Sequence, residues 1–126
     1  MRAVDTNLLV RLIVRDDPDQ ATAAESFVSK GAWVPHLVLA ETAWVLEAVY
    51  DRSPAQIANA VERLLNHAEL TVQDADAVTR ALDHYRARPS LGFSDALVLE
   101  IARKAGHLPL GTFDRRLARL DGAQGL

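Results

Sequence analysis

Four acidic residues stand at positions where they could together hold a cation. Asp5 follows the short stretch "RAV" and is itself followed by Thr6 and Asn7. Glu41 interrupts the apolar run "VLAETAWVL", Asp95 opens "SDALVLEIARKAG", and Asp114 closes "LGTFD". With seventeen Asp and Glu in 126 residues, finding acids is not itself a signal. Each also has a plain local reading. Asp5 and Asp114 fit helix caps, Asp95 fits the positive end of a helix dipole, and Glu41 fits the edge of an apolar face. Glu47, farther along the same run, is the expected solvent-facing counterpart of Glu41. If the four converge, their six pairwise repulsions come to roughly 3 kcal/mol each at about 5 Å and an effective dielectric near 20. Such a cluster needs protons or a cation, and oxygen-only ligands select hard ions such as Mg²⁺ or Mn²⁺. The chemistry open to it is hydrolysis by metal-activated water.

The elements that must position these acids follow from punctuation and periodicity. "RAV" predicts a first strand, and Leu8 to Leu12 the start of an apolar helix. A turn at "DDPDQ" then leads into an amphipathic helix with Pro18 at its start and Gly31 past its end. "AWVP" is a second strand stopped by Pro35, and "HLVLAETAWVLEAVY" is too long for a strand and apolar enough to be a buried helix. Ser53 to Gln56 form a capping box opening a helix to about Ala68. "ELTVQ" is a third strand, and Asp74 is placed to cap a helix ending before Pro89. A helix from about Ser94 closes at Gly106. "HLPLGTFD" is a fourth strand running into the short helix "RRLARL", and "DGAQGL" is a weak candidate for an edge strand. Strands alternating with helices point to α/β architecture, a parallel sheet covered on both faces. Asp5 and Asp114 then lie at strand carboxyl ends, where open α/β sheets bind ligands. No repeat or linker interrupts the pattern, so residues 1–126 read as a single domain.

Composition narrows the function classes. Apolar residues make up 49% and charged residues 25%, ordinary for a globular protein. There is no cysteine, which excludes disulfides and thiolate metal sites. No apolar run reaches the roughly 20 residues of a membrane span and no signal-peptide plan is present, so the cytoplasm is the default expectation. The formal charge of −3 argues against gripping nucleic acid by bulk electrostatics. The arginines are nevertheless uneven, with Arg86 and Arg88 in "HYRARP" and Arg115, Arg116 and Arg119 in "FDRRLARL". A solvated helix face accounts for both runs. His36, His67, His84 and His107 show no paired metal spacing and read as surface or cap residues.

The segments "AVDTNLLVRLIVRDDPDQ", "VLAETAWVLEAVY", "GFSDALVLEIARKAG" and "LGTFDRRLARL" resemble, in order, the successive blocks of a PIN domain, specifically a VapC-type toxin ribonuclease. The resemblance implies a three-layer α/β/α sandwich around a central parallel sheet. It implies an acidic site at Asp5, Glu41, Asp95 and Asp114 that holds Mg²⁺ or Mn²⁺. Asn7 matches a polar position beside the first acid, Thr112 the threonine two before the last, and Ser94 a variable position able to orient the metal site. Thr6 and Asn7 would order the turn behind Asp5, whose main task would be metal binding rather than capping. The activity implied is hydrolysis of RNA phosphodiester bonds, with one of Arg115 and Arg116 on the RNA backbone. The partners implied are a small cognate antitoxin and a second copy of the chain. A phosphatase of the haloacid-dehalogenase type would need a second aspartate where Asn7 stands. A receiver domain would need its phosphoacceptor after a central strand and a matching downstream lysine. The alternative from another class is a catalytically silent PIN-like module that binds RNA or a protein partner.

Overall fold

Asp5, Asp17 and Ser53 each open a helix by accepting from an amide of its first turn. In the computed structural model, which describes residues 1–126, the chain forms two compact units, Met1–Ala75 and Asp76–Leu126. The chain is a helix-rich α/β protein with parallel strands. No helix is long and apolar enough to cross a membrane.

The first unit runs β1 (Arg2–Ala3), α1 (Thr6–Val14), α2 (Pro18–Val28), β2 (Ala32–Val34), α3 (His36–Ala48), α4 (Pro54–Leu65) and β3 (Leu70–Val72). The three strands pair in parallel in the order β1-β2-β3, with Ala3 opposite Trp33 and Trp33 opposite Thr71. Period-two alternation buries Ala32 and Val34 while Trp33 turns outward. Asp17 caps α2 by accepting from the Gln20 amide at 3.0 Å, and Pro18 occupies the first helical position. The Ser53–Gln56 box closes in both directions, at 3.2 and 2.9 Å. Arg11 of α1 bridges Gln20 of α2 (2.5 Å), Asp16 (2.9 Å) and the Tyr50 hydroxyl (3.1 Å), which fixes the α1–α2 corner.

The expectation of a buried third helix holds for one of its faces only. α3 buries Leu39, Thr42, Ala43 and Leu46, an i, i+3, i+4, i+7 stripe. Its opposite face carries Leu37, Glu41 and Trp44 in the open, with Leu37 69% and Trp44 63% exposed. Apolar character all round the helix conceals which stripe packs, and one layer of contact covers only one.

The second unit holds α5 (Ala75–Ala87), a 3-10 turn (Pro89–Leu91), α6 (Phe93–Ala105), β4 (Leu110–Thr112), a second 3-10 turn (Leu117–Arg119) and β5 (Ala123–Gly125). β4 pairs in parallel with β5, as a separate two-stranded sheet, so the C-terminal strand forms and serves β4 as partner. Tyr85 meets Phe93 edge-on, with ring centroids 6.1 Å apart. Gly92, at φ +86°, is where the chain turns from the first 3-10 turn into α6, a backbone that suits glycine.

One acid in this unit does interrupt a buried pattern, and it is Glu100, 2% exposed. Its Oε2 lies 3.2 Å from His84 Nε2 and its Oε1 accepts from Arg103 Nε at 3.2 Å. His84, expected at the surface or in a cap, is thus tied to a buried carboxylate. Arg103 goes on to donate from Nη2 to the Asp121 carbonyl at 2.6 Å, against Gly122. A Cβ on Gly122 would lie 2.9 Å from that Nη2, so a larger residue there would press on the guanidinium. Burying a carboxylate is costly unless its oxygens are paired. Glu100→Ala is therefore expected to lower stability by about 1–3 kcal/mol in urea unfolding, while exposed Glu47→Ala stays within about 0.5 kcal/mol. Equal losses at the two positions would remove the network from any structural role.

Candidate active site

Asp5 sits between β1 and α1 in extended conformation, as an N-cap should. Its Oδ1 accepts from the Leu8 amide at 3.0 Å. Asp5 does cap: the free N–H groups of a first turn need an acceptor, and Asp5 supplies one. The bond engages one oxygen only, and Oδ2 has no hydrogen-bond partner. Thr6, the first residue of α1, donates from Oγ1 to Glu41 Oε2 at 3.2 Å. Glu41 is exposed, like Glu47, so the expected contrast in burial between them is corrected as well. What separates the two glutamates is the tie from Thr6, which brings Glu41 beside the turn that carries Asp5. Asn7 is exposed and lines a groove of about 290 Å³ with Leu8, Arg11, Gln20, Ala24 and Phe27.

The second unit repeats the first arrangement. Asp114 follows β4, and its Oδ1 accepts from the amides of Arg116 (2.8 Å) and Leu117 (3.0 Å). Thr112 Oγ1 in turn accepts from the Asp114 amide at 3.0 Å, which holds the backbone of the turn. Again Oδ2 is left without a hydrogen bond. The amides of Leu117 and Arg116, with the Arg116 guanidinium, hold this carboxyl below the usual carboxylate range.

Asp95, in the first turn of α6, is the exception. It is half-buried, and neither of its oxygens has a hydrogen-bond donor. Burial, and then the charge of Asp114, hold its carboxyl above the usual range despite the helix start beneath it. Ser94 beside it is exposed, as are Arg115 and Arg116. Within neither unit do three His, Asp or Glu side chains group as a metal site would require. The donors do fit a hard cation. They are oxygens throughout, and a half-buried carboxylate facing a like charge without a donor is the condition that a divalent ion relieves.

The PIN domain family model matches residues 2–123. The chain belongs to the PIN domain family. No curated protein and no solved structure matches it. The match spans all four acids, and the parallel-stranded, helix-rich fold is PIN-like. PIN domains are generally nucleases that use divalent metal ions, so this PIN domain is assigned nuclease-type chemistry.

The two aspartates of the second unit should respond oppositely to neutralisation. Asp95 binds its proton more readily folded than unfolded, so its charge destabilises the fold at neutral pH and the penalty fades as pH falls through its raised pKa. Asp114, held low, contributes stability above its unfolded pKa and loses it as pH falls through its folded one. In EDTA at pH 7, Asp95→Asn is expected to raise the melting temperature and Asp114→Asn to lower it, each difference shrinking in acid. A lower melting temperature for Asp95→Asn at pH 7 would show that Asp95 is not strained.

Proposed function

We propose that this PIN domain is a Mg²⁺- or Mn²⁺-dependent ribonuclease acting as one domain over residues 1–126, the toxin of a VapC-type toxin–antitoxin pair. The observation that carries the reading is the family match over residues 2–123, which takes in Asp5, Glu41, Asp95 and Asp114 in order. The free Oδ2 atoms of Asp5 and Asp114, and the donor-free carboxylate of Asp95, support it as ligand oxygens. Asp5, Glu41, Asp95 and Asp114 would hold the ion, with Thr6 and Thr112 keeping two of them in place and Asn7 and Ser94 as polar neighbours. A bound divalent ion supplies Lewis-acid charge at the phosphodiester and makes water a stronger nucleophile near neutral pH. The chain's own part is to present oxygens on rigid strand and helix ends, with Arg115 and Arg116 near the RNA backbone. No histidine or serine is assigned as a covalent nucleophile.

The partners belong to the same reading. The α1–α2 groove, lined by Leu8, Ala23, Ala24 and Phe27 with Asn7, Arg11 and Gln20, would take apolar side chains of a small antitoxin. The open face of α3, with Leu37 and Trp44, offers apolar surface to a second copy of the chain.

Purified protein is expected to cleave RNA with Mg²⁺ or Mn²⁺ and not in EDTA. Asp95→Asn and Glu41→Gln should each reduce cleavage by about 100-fold or more, while Glu47→Gln stays within about twofold. Mg²⁺ should raise the melting temperature of the parent more than that of Asp95→Asn. Absence of metal-dependent cleavage would leave the silent binding module in place of the enzyme, and equal activity of the two glutamate variants would take Glu41 out of the site.

A further inference from the structure

The second unit contains a cleft of about 480 Å³ lined by Ala87, Arg88, Pro89, Ser90, Leu91, Arg116 and Arg119. Three of the seven lining residues are arginines and none is acidic. They come from the two arginine runs, "HYRARP" and "FDRRLARL", which read separately as solvated helix faces. The fold brings them to one concavity, because the 3-10 turn at Pro89–Leu91 carries Arg88 and the second 3-10 turn carries Arg119. Four other cations are paired with acids: Arg11 with Asp16, Arg15 with Glu25, Arg103 with Glu100 and Lys104 with Asp76. The Arg88 and Arg119 side chains have no ion pair and no hydrogen bond. Arg116 is steered into the cleft by one bond, from Nη1 to the Ser90 carbonyl at 3.1 Å, which leaves most of its five N–H donors uncommitted.

Three like charges around one hollow, in a protein of net charge −3, call for an anion. The position of the cleft indicates which. Arg116 is shared with the candidate active site, since its amide donates to Asp114 Oδ1. Phe113, directly before Asp114, is 84% exposed, an aromatic face of the kind that bases stack on. Guanidinium groups take phosphate oxygens two at a time, and the volume suits a phosphate with its sugar. We propose that the Arg88–Arg116–Arg119 cleft is a subsite for a backbone phosphate of single-stranded RNA, with Phe113 as the stacking platform beside it. The subsite rests on the ribonuclease reading and adds to it where the strand lies. Phosphates are held by cations at one end of the second unit, while Asp95 and Asp114 are left to the ion.

The test is binding of a fluorescent single-stranded RNA in EDTA by the parent, Arg88→Ala/Arg119→Ala and Arg88→Lys/Arg119→Lys. Both positions are exposed, and thermal melts of each variant serve as the control for folding. The alanine pair is expected to weaken binding by about tenfold or more. It should also flatten the dependence of log K on log salt by about 0.7, for the one phosphate charge no longer neutralised. The lysine pair should restore most of the salt slope, and Phe113→Ala should weaken binding without changing that slope. Inorganic phosphate and a poly-glutamate peptide serve as competitor probes. Unchanged RNA binding by the alanine pair overturns the subsite, even if that pair no longer binds free phosphate or the acidic peptide. If the parent cleaves RNA and the alanine pair binds and cleaves as well, the subsite falls and the ribonuclease stands. If RNA binding needs these arginines but no metal produces cleavage, the ribonuclease falls and the subsite stands.

Discussion

A carboxylate has two oxygens, and the candidate site depends on how they are divided. Asp5 and Asp114 each give Oδ1 to the amides of the turn that follows and keep Oδ2 clear. The cap fixes the side chain's direction without using up its capacity as a ligand. Capping therefore does not compete with the ion binding proposed for the same residues. Asp95 divides nothing: it has no donor at either oxygen and a like charge for a neighbour. Within the second unit the caps at Asp114 are satisfied and the unrelieved like-charge repulsion falls on Asp95.

The two glutamates of interest differ for a similarly local reason. Glu41 is placed by the Thr6 hydroxyl and remains in solvent. Glu100 is surrounded and survives because His84 and Arg103 meet both its oxygens. An exposed, steered carboxylate is available to a ligand, whereas a buried and saturated one serves the frame.

Much of this was legible in the sequence, where the signal was local. Asp17-Pro18, the Ser53–Gln56 box and Gly106 each mark a helix end through bonds made within a few residues, and those ends fall within a few residues of where the pattern put them. The strand-end aspartates were visible for the same reason. What escaped was whatever tertiary packing decides. Glu41 and Glu100 both interrupt runs of Leu, Val and Ala, and nothing in either run says which side of the helix will face inward. α3 is apolar on two faces and packs with one. β4 and β5 are three residues each and contain glycine, too little pattern to reveal that they pair with one another. The arginine cleft joins residues about thirty positions apart in the chain, a distance over which periodicity is silent.

The link from Arg103 to the Asp121 carbonyl carries a consequence for how such a site can be tuned. Asp95 stands in the first turn of α6 and Arg103 in its last, and Asp121 closes the turn just before β5, the strand that holds β4 and, through it, Asp114. One guanidinium thus moors the helix of one aspartate to the sheet of the other. Where Asp95 and Asp114 hold an ion as proposed, sequence drift at Glu100, Arg103 or Gly122 would alter the gap between the two carboxylates, and with it the preference for a smaller or larger ion. Ion selectivity in this chain would then be a heritable property of a mooring that never touches the ion.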